Sequence, residues 1–307
     1  MAAMKIGIDL GGSKIEGIVL DDAGAERGRL RVPTPAGDYT ATLDAIAGLV
    51  ADLAAGHAVP DDVPVGVGIP GTVSPATGLI KNANSTCLIG QRLDADLEHR
   101  LGRPVRLAND ADCFTVSEAT DGAGSDARTV FGVILGTGVG GGLVVDGKLW
   151  VGPNAISGEW GHNPLPWPKT AEDSPDGRDE RPGRHCYCGK RGCIETFLSG
   201  PGLAIDYASE TADAAAIDKL AQSGDAAASA ALDRYEDRLA RALAGVINIV
   251  DPEMIVLGGG LSNIRRLYDN VPALWQEWVF SDRCDTRLAQ NRHGDSGGVR
   301  GAAWLWP

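Results

Sequence analysis

Two segments of the chain follow one plan, and that repetition limits the fold more than any other feature. Residues 5–10 (Lys-Ile-Gly-Ile-Asp-Leu) read as an apolar strand, and Gly11-Gly12 make a tight turn. Ile15 to Leu20 resume as a strand, and Asp21-Asp22-Ala23-Gly24 turn again. Residues 129–150 repeat this: an apolar strand from Val130 to Leu135, a glycine turn from Gly136 to Gly142, a strand at Leu143-Val144-Val145, and a turn at Asp146-Gly147. One architecture used twice implies two lobes. The 307 residues suit two modest units better than one core.

The rest alternates helix and strand. Leu43, Ile46, Ala47, Val50 and Leu53 mark one face of a helix over 39–55. A strand runs from Val63 to Pro70, a helix from Leu93 to Leu101, and a strand from Val105 to Ala108, with a further helix through Glu118. Residues 166–184 are rich in Pro, Asp, Arg and Gly and read as an exposed loop. Residues 203–248 read as helical, Met254 to Leu257 as a strand, and Gly301 to Trp306 as a final helix. Alternation of this kind gives an α/β class.

Composition removes several functions. A net charge of −13 lacks the basic footprint of nonspecific nucleic-acid binding. No apolar run reaches transmembrane length, and Met1 to Lys5 lead straight into a strand, so neither a membrane span nor a secretory leader is expected. A cytoplasmic location follows as the expectation. Of six cysteines, Cys186, Cys188 and Cys193 fall within eight residues, which suggests metal or redox chemistry rather than a disulfide framework.

Four groups of residues carry candidate chemistry. Asp9-Leu10-Gly11-Gly12-Ser13-Lys14 offers backbone amides that approach phosphate closely, or is simply a hairpin turn. The turn at Gly136-Thr137-Gly138 through Gly142 formally matches a dinucleotide fingerprint, but a strand follows where a helix is required. It reads instead as a second phosphate-facing hairpin. Asn109-Asp110 ends a strand, so Asp110 is either a general base or a helix cap. Finally, His162 in Gly158-Glu159-Trp160-Gly161-His162 joins Cys186, Cys188 and Cys193 in a Cys₃His set typical of structural zinc, with His185 as an alternative nitrogen ligand. Glu159 and Glu195 flank these ligands.

Taken in order, these residues resemble the ROK family of bacterial sugar kinases, repressors and open-frame proteins. The likeness runs from Asp9-Leu10-Gly11-Gly12 through Gly68-Ile69-Pro70-Gly71, Leu107-Ala108-Asn109-Asp110-Ala111, the 136–142 turn and the zinc motif to Gly258-Gly259-Gly260. The resemblance implies an actin-like, ribonuclease-H-like two-lobed sugar kinase fold. It implies a small lobe over 1–108, a large lobe over 109–292, and a C-terminal helix over 293–307 returning to the small lobe. Asp110 would be the base that activates a sugar hydroxyl. Gly71, Asn84, Asn109, Asp110, Glu159, His162 and Glu195 would bind the sugar, His162 using one ring nitrogen for zinc and the other for the sugar. Asp9, Gly11, Gly12, Ser13, Lys14, Gly136, Thr137 and Gly138 would line the phosphates of ATP, and Gly259 and Gly260 the adenosine. ATP, Mg²⁺ and Zn²⁺ are the implied cofactors, and a homodimer the implied assembly. Two departures stand out: Ser13 replaces the family's usual Thr, and the interval from His162 to Cys186 is longer than in compact members.

Within the family, Lys81 to Thr86, the run from Glu159 to Trp167, and the ending from His293 to Trp304 look most like fructokinase/mannokinase. Fructose is therefore the expected substrate, giving fructose 6-phosphate, with mannose or glucose weaker. N-acetylglucosamine kinase and glucokinase are the alternatives. The neighbourhood of Trp160 and Trp167 is expected to restrict room for an acetamido group. A sugar-responsive transcriptional regulator would carry a helix-turn-helix before Asp9, for which eight residues leave no room. A catalytically dead sugar-binding module is disfavoured by the intact Asp110 and both glycine hairpins.

Overall fold

A computed structural model describes residues 4–174, 177–207 and 213–306. In chain order the elements are β1 (Met4–Leu10), β2 (Lys14–Asp21), β3 (Glu26–Pro33), α1 (Tyr39–His57), β4 (Val65–Ile69), β5 (Thr72–Val73), β6 (Ile80–Lys81), α2 (Leu93–Leu101), β7 (Val105–Asn109) and α3 (Asp110–Thr120). There follow β8 (Thr129–Leu135), β9 (Val139–Val145), β10 (Lys148–Leu149), α4 (Glu195–Leu198), α5 (Gly200–Asp206), α6 (Ala214–Gln222), α7 (Ala226–Val250), β11 (Met254–Gly258), α8 (Leu267–Trp275), β12 (Arg287–Gln290) and α9 (Gly297–Ala303). They form two compact units. The first holds 1–126, 142–157 and 292–307, and the second 127–141 and 158–291. The chain passes from the second to the first within β9.

The first unit is built on a sheet in the order β3-β2-β1-β4-β7. The strand pairs β1–β2 and β2–β3 are antiparallel, whereas β4 runs parallel to both β1 and β7. Side chains alternate across a strand. Ile6, Ile8 and Leu10 therefore join one core with Leu43, Ile46, Leu49, Val50 and Leu53 of α1. Gly7 and Asp9 face the other way, toward α9. That face is made of close backbone contacts: a Cβ on Gly7 would lie 2.3 Å from the Val299 carbonyl oxygen, and one on Gly66 1.8 Å from that of Ala302. The final helix thus packs on β1, β4 and α3.

In the second unit β8, β11 and β12 are parallel neighbours. Helix α7 carries a long buried stripe, including Leu232, Tyr235, Leu239 and Leu243. Against it pack α4, α5, α6 and α8. The long loop before the cysteines is fastened to the same helix: Glu180 accepts from Arg238 at 2.7 Å and Arg241 at 2.9 Å, and Lys169 donates to Asp237 at 2.8 Å.

Several elements differ from the expectation. The strand β3, charged and at the sheet edge, carries no apolar alternation to announce it. The second glycine turn is shorter than read, spanning 136–138, because Val139 to Gly142 already belong to β9. The helical stretch over 203–248 is divided into α5, α6 and α7, with 208–212 outside the described residues. The final helix starts at Gly297 rather than Gly301. No helix among the described residues is long and apolar enough to cross a membrane.

Candidate active site and metal centre

In the first unit the parallel register brings three strand tips level. Asp9 pairs with Gly68, Gly68 with Ala108, and Ile69 with Asn109. Carboxyl ends of parallel strands are where α/β sheets place ligands. Asp9 feels the field of Asp110. Burial first, then Asp110 and Glu16, push its carboxyl up to about 6, while Lys14 opposes the shift.

The helix-cap question at 109–110 resolves by geometry. Asn109 is the N-cap of α3, and its Oδ1 accepts from Ala111 N–H at 2.9 Å. Its Nδ2 donates to the Gly71 carbonyl at 3.2 Å. Asp110 is the first residue of the helix, exposed, with Oδ1 accepting from the same Ala111 N–H at 2.8 Å. The helix N-terminus favours a carboxylate there. Gly71 has no room for a side chain: a Cβ would sit 2.8 Å from the Ala83 Cβ. Asn84 is exposed, with its N–H donating to the Pro70 carbonyl at 3.1 Å.

The hairpin between β1 and β2 is closed by Gly11 N–H donating to the Lys14 carbonyl at 3.0 Å. Gly12 and Ser13 are exposed, and a Cβ on Gly12 would meet nothing within 4 Å. This is open backbone of the kind that admits a phosphate. The motifs did not reveal Glu16, which is 2% exposed and faces Asp9 across β1 and β2. Its signal was a lone carboxylate in the apolar run Ile15 to Leu20.

In the second unit Gly136, Thr137 and Gly138 form the turn before β9, with Thr137 exposed. Glu195, at the start of α4, accepts from Val139 N–H at 2.9 Å, and a Cβ on Gly138 would lie 2.7 Å from its Oε2. Gly259 has φ +79°, and a Cβ there would strike the Leu135 carbonyl oxygen at 2.4 Å; Gly260 beside it is open. Glu159 is exposed at the head of the short turn Trp160–His162.

The metal set converges. Ligand atoms of His162, Cys186, Cys188 and Cys193 all lie within 4.8 Å of one another. A tetrahedral zinc, with bonds of about 2.3 Å to sulfur and about 2.0 Å to nitrogen, separates two sulfurs by about 3.8 Å and sulfur from nitrogen by about 3.5 Å. Here Cys188 and Cys193 sulfurs are 3.7 Å apart, and Cys186 Sγ is 3.6 Å from His162 Nδ1. The residues therefore fit zinc. Backbone pairing explains the convergence: Ile194 N–H donates to the Asn163 carbonyl at 2.9 Å, and Leu165 N–H to that of Gly192 at 2.8 Å. His185 instead contacts Arg191 and stands outside the group. The second ring nitrogen of His162 meets Tyr187 Oη at 3.0 Å, a partner the sequence motifs did not single out. A sugar hydroxyl taking that nitrogen would displace this contact.

The steric argument against an acetamido group loses both its rings. Trp160 is 5% exposed and donates to the Gly140 carbonyl at 3.0 Å. Trp167 stacks against Trp278, ring centroids 5.2 Å apart.

The ROK family pattern matches residues 5–307, nearly the entire chain. The chain belongs to the ROK family. It is similar to an N-acetyl-D-glucosamine kinase of Salmonella heidelberg, with 42% identity over 98% of this chain and 99% of that protein. Among solved structures it is similar to a ROK hexokinase from Thermus thermophilus, with a TM-score of 0.82, 26% identity, and coverage of 98% and 97%. It is also similar to a ROK glucokinase from Streptomyces griseus, in complex with glucose and AMPPNP, with a TM-score of 0.75, 27% identity, and 99% of both chains covered. The actin-like two-lobed fold expected from the motifs is the fold of this ROK chain.

Proposed function

We propose that this ROK sugar kinase transfers the γ-phosphoryl group of ATP to N-acetyl-D-glucosamine. The observation that carries the sugar is the likeness, at 42% identity and nearly full length, to a curated kinase of that name. Fructose, favoured by three sequence segments, gives way because those segments are shorter evidence than a full-length match. The loss of the Trp160 and Trp167 argument also removes the physical objection to an acetamido group. ATP as donor is supported by the AMPPNP-bound neighbour.

Asp110 takes the proton from the attacking sugar hydroxyl. The freed oxygen bonds to the γ-phosphorus as the bond to the β,γ-bridging oxygen breaks, and ADP leaves. Phosphoryl transfer asks the protein chiefly for positioning and charge neutralisation. In the first unit the Gly11–Lys14 hairpin receives phosphate oxygens, Mg²⁺ arriving with ATP, and Gly71, Asn84 and Asn109 hold sugar hydroxyls. In the second unit Gly136, Thr137 and Gly138 serve phosphate, Gly259 and Gly260 the adenosine, and Glu159, His162 and Glu195 the sugar. Zinc on His162, Cys186, Cys188 and Cys193 would supply rigidity rather than chemistry, since all four ligand positions are filled by protein. In this reading the first lobe is the unit of 1–126, 142–157 and 292–307, so it takes in Asn109 and Asp110, which the sequence bounds of 1–108, 109–292 and 293–307 had put in the second.

The deciding experiment is coupled ADP release with N-acetylglucosamine, fructose, mannose and glucose. The highest kcat/KM is expected for N-acetylglucosamine. A higher value for fructose would restore the fructokinase reading.

A further inference from the structure

Three antiparallel strands place Asp9, Glu16 and Arg31 in a single row. Asp9 is opposite Glu16 across β1 and β2, and Glu16 is opposite Arg31 across β2 and β3. Directly opposed residues point to the same face. Lys14, two residues before Glu16 on β2, shares that face. The Glu16 side chain is 3% exposed, and three cations surround it. Arg31 grips it bidentately, Nε at 2.9 Å and Nη2 at 3.0 Å; Lys14 Nζ is 3.7 Å away; Arg29 makes the third contact. Burial would raise the carboxyl, but the bonds from Arg31 and Arg29 outweigh it and hold Glu16 below the usual range.

The cations differ in what they have left to give. Arg29 is 21% exposed and is also committed to Glu26 and to Ser296 Oγ at 2.9 Å. Lys14 and Arg31 are each 50% exposed. Three residues beyond Arg31, Thr34 is fastened to the hairpin: its N–H donates to the Ser13 carbonyl at 3.1 Å and its hydroxyl to that of Gly11 at 2.8 Å. Lys14 is part of the hairpin itself. Two half-exposed cations thus stand beside open glycine backbone, in a chain whose net charge of −13 otherwise repels anions.

We propose that Lys14 and Arg31 form a cationic clamp for the polyphosphate tail of the nucleotide, and that Glu16 is the positioning residue that holds them together. The clamp rests on the reading of the Gly11–Lys14 hairpin as a phosphate site.

The test is steady-state kinetics with MgATP varied at saturating sugar, then with sugar varied at saturating MgATP. Arg31→Ala should raise the KM for ATP about tenfold, as loss of one charge-assisted contact would, and leave the KM for sugar unmoved. Arg31→Lys should recover part of the loss. Arg27→Ala removes an equal charge about 13 Å along the same strand, where Arg27 pairs with Asp21, and should leave both constants unchanged. Glu16→Gln should also raise the KM for ATP, although it makes the chain less negative; a mere net-charge effect would lower it. An unchanged KM for ATP in Arg31→Ala, or an equal rise in Arg27→Ala, overturns the clamp. The exposed Arg31 variants keep the test decisive even if Glu16→Gln does not fold. Wild-type protein that transfers phosphate from ATP to no sugar would instead overturn the kinase reading, a separate and distinguishable failure.

Discussion

The Asn109 side chain spans two jobs, accepting from the Ala111 N–H that opens α3 and donating to the Gly71 carbonyl at 3.2 Å. It thereby fixes the end of β7 against the turn after β4 and sets where Asp110 begins its helix.

Asp110→Asn tests the general base. Loss of such a group costs about 10²–10⁴-fold in rate. The expected result is a fall of that size in kcat with the KM for sugar nearly unchanged, because the carboxamide keeps the hydrogen-bonding shape. Near wild-type turnover would remove Asp110 from the role.

Zinc is checked by elemental analysis. One zinc per chain is expected in protein purified without chelator. Because metal binding and folding are coupled in such sites, Cys188→Ser should lose the metal and melt at lower temperature. His185→Ala should keep both, since His185 lies with Arg191 outside the ligand group. Wild-type protein free of zinc would refute the assignment.

Asp9 makes stability fall as pH rises. Its folded pKa, pushed up to about 6, exceeds the unfolded value near 3.8. The folded state therefore binds the proton more tightly, and stability is lost between about pH 4 and pH 6. Two pKa units correspond to roughly 3 kcal/mol. Asp9→Asn should then melt higher than wild type at pH 7.5 while losing activity, and the gain should vanish near pH 3.5. Thermal melts across that range decide it; a gain independent of pH would contradict the account.

Two glycines should separate function from folding. A Cβ at Gly138 meets only the far end of the Glu195 side chain, at 2.7 Å, which can swing aside. Gly138→Ala should lower kcat/KM about 10- to 100-fold through misplacement of Glu195, with little change in melting temperature. A Cβ at Gly301 meets the Cys113 backbone oxygen at 1.6 Å. Gly301→Ala should cost about 3 kcal/mol or more. Equal destabilisation of the two variants would be the contrary result.

Much of this molecule was legible in its sequence, for reasons particular to each element. Ile6, Ile8 and Leu10 alternate cleanly because only one face of β1 meets α1. The helix over 39–57 was visible because Leu43, Ile46, Val50 and Leu53 repeat at helical spacing. The Cys/His cluster was visible because Cys186, Cys188 and Cys193 are nearly contiguous, although the place of His162 rather than His185 in it needed the pairing of Asn163 with Ile194. Strand β3 was hidden because its arginines answer the buried Glu16, a relationship that lies across strands and not along the chain. Tyr187 was hidden likewise: its partner, His162, is 25 residues away. Substrate choice was the least legible, since the sequence does not reveal that Trp160 bonds to Gly140 and Trp167 stacks on Trp278.

The backbone contact between α9 and α3 also has a meaning for biosynthesis. The first unit cannot complete its packing until residues 297–303 leave the ribosome, whereas the second unit is finished by residue 291. Until then the Gly7 and Gly66 surface of β1 and β4 stays uncovered. Nascent chains stalled before residue 297 should therefore be the ones that chaperones hold.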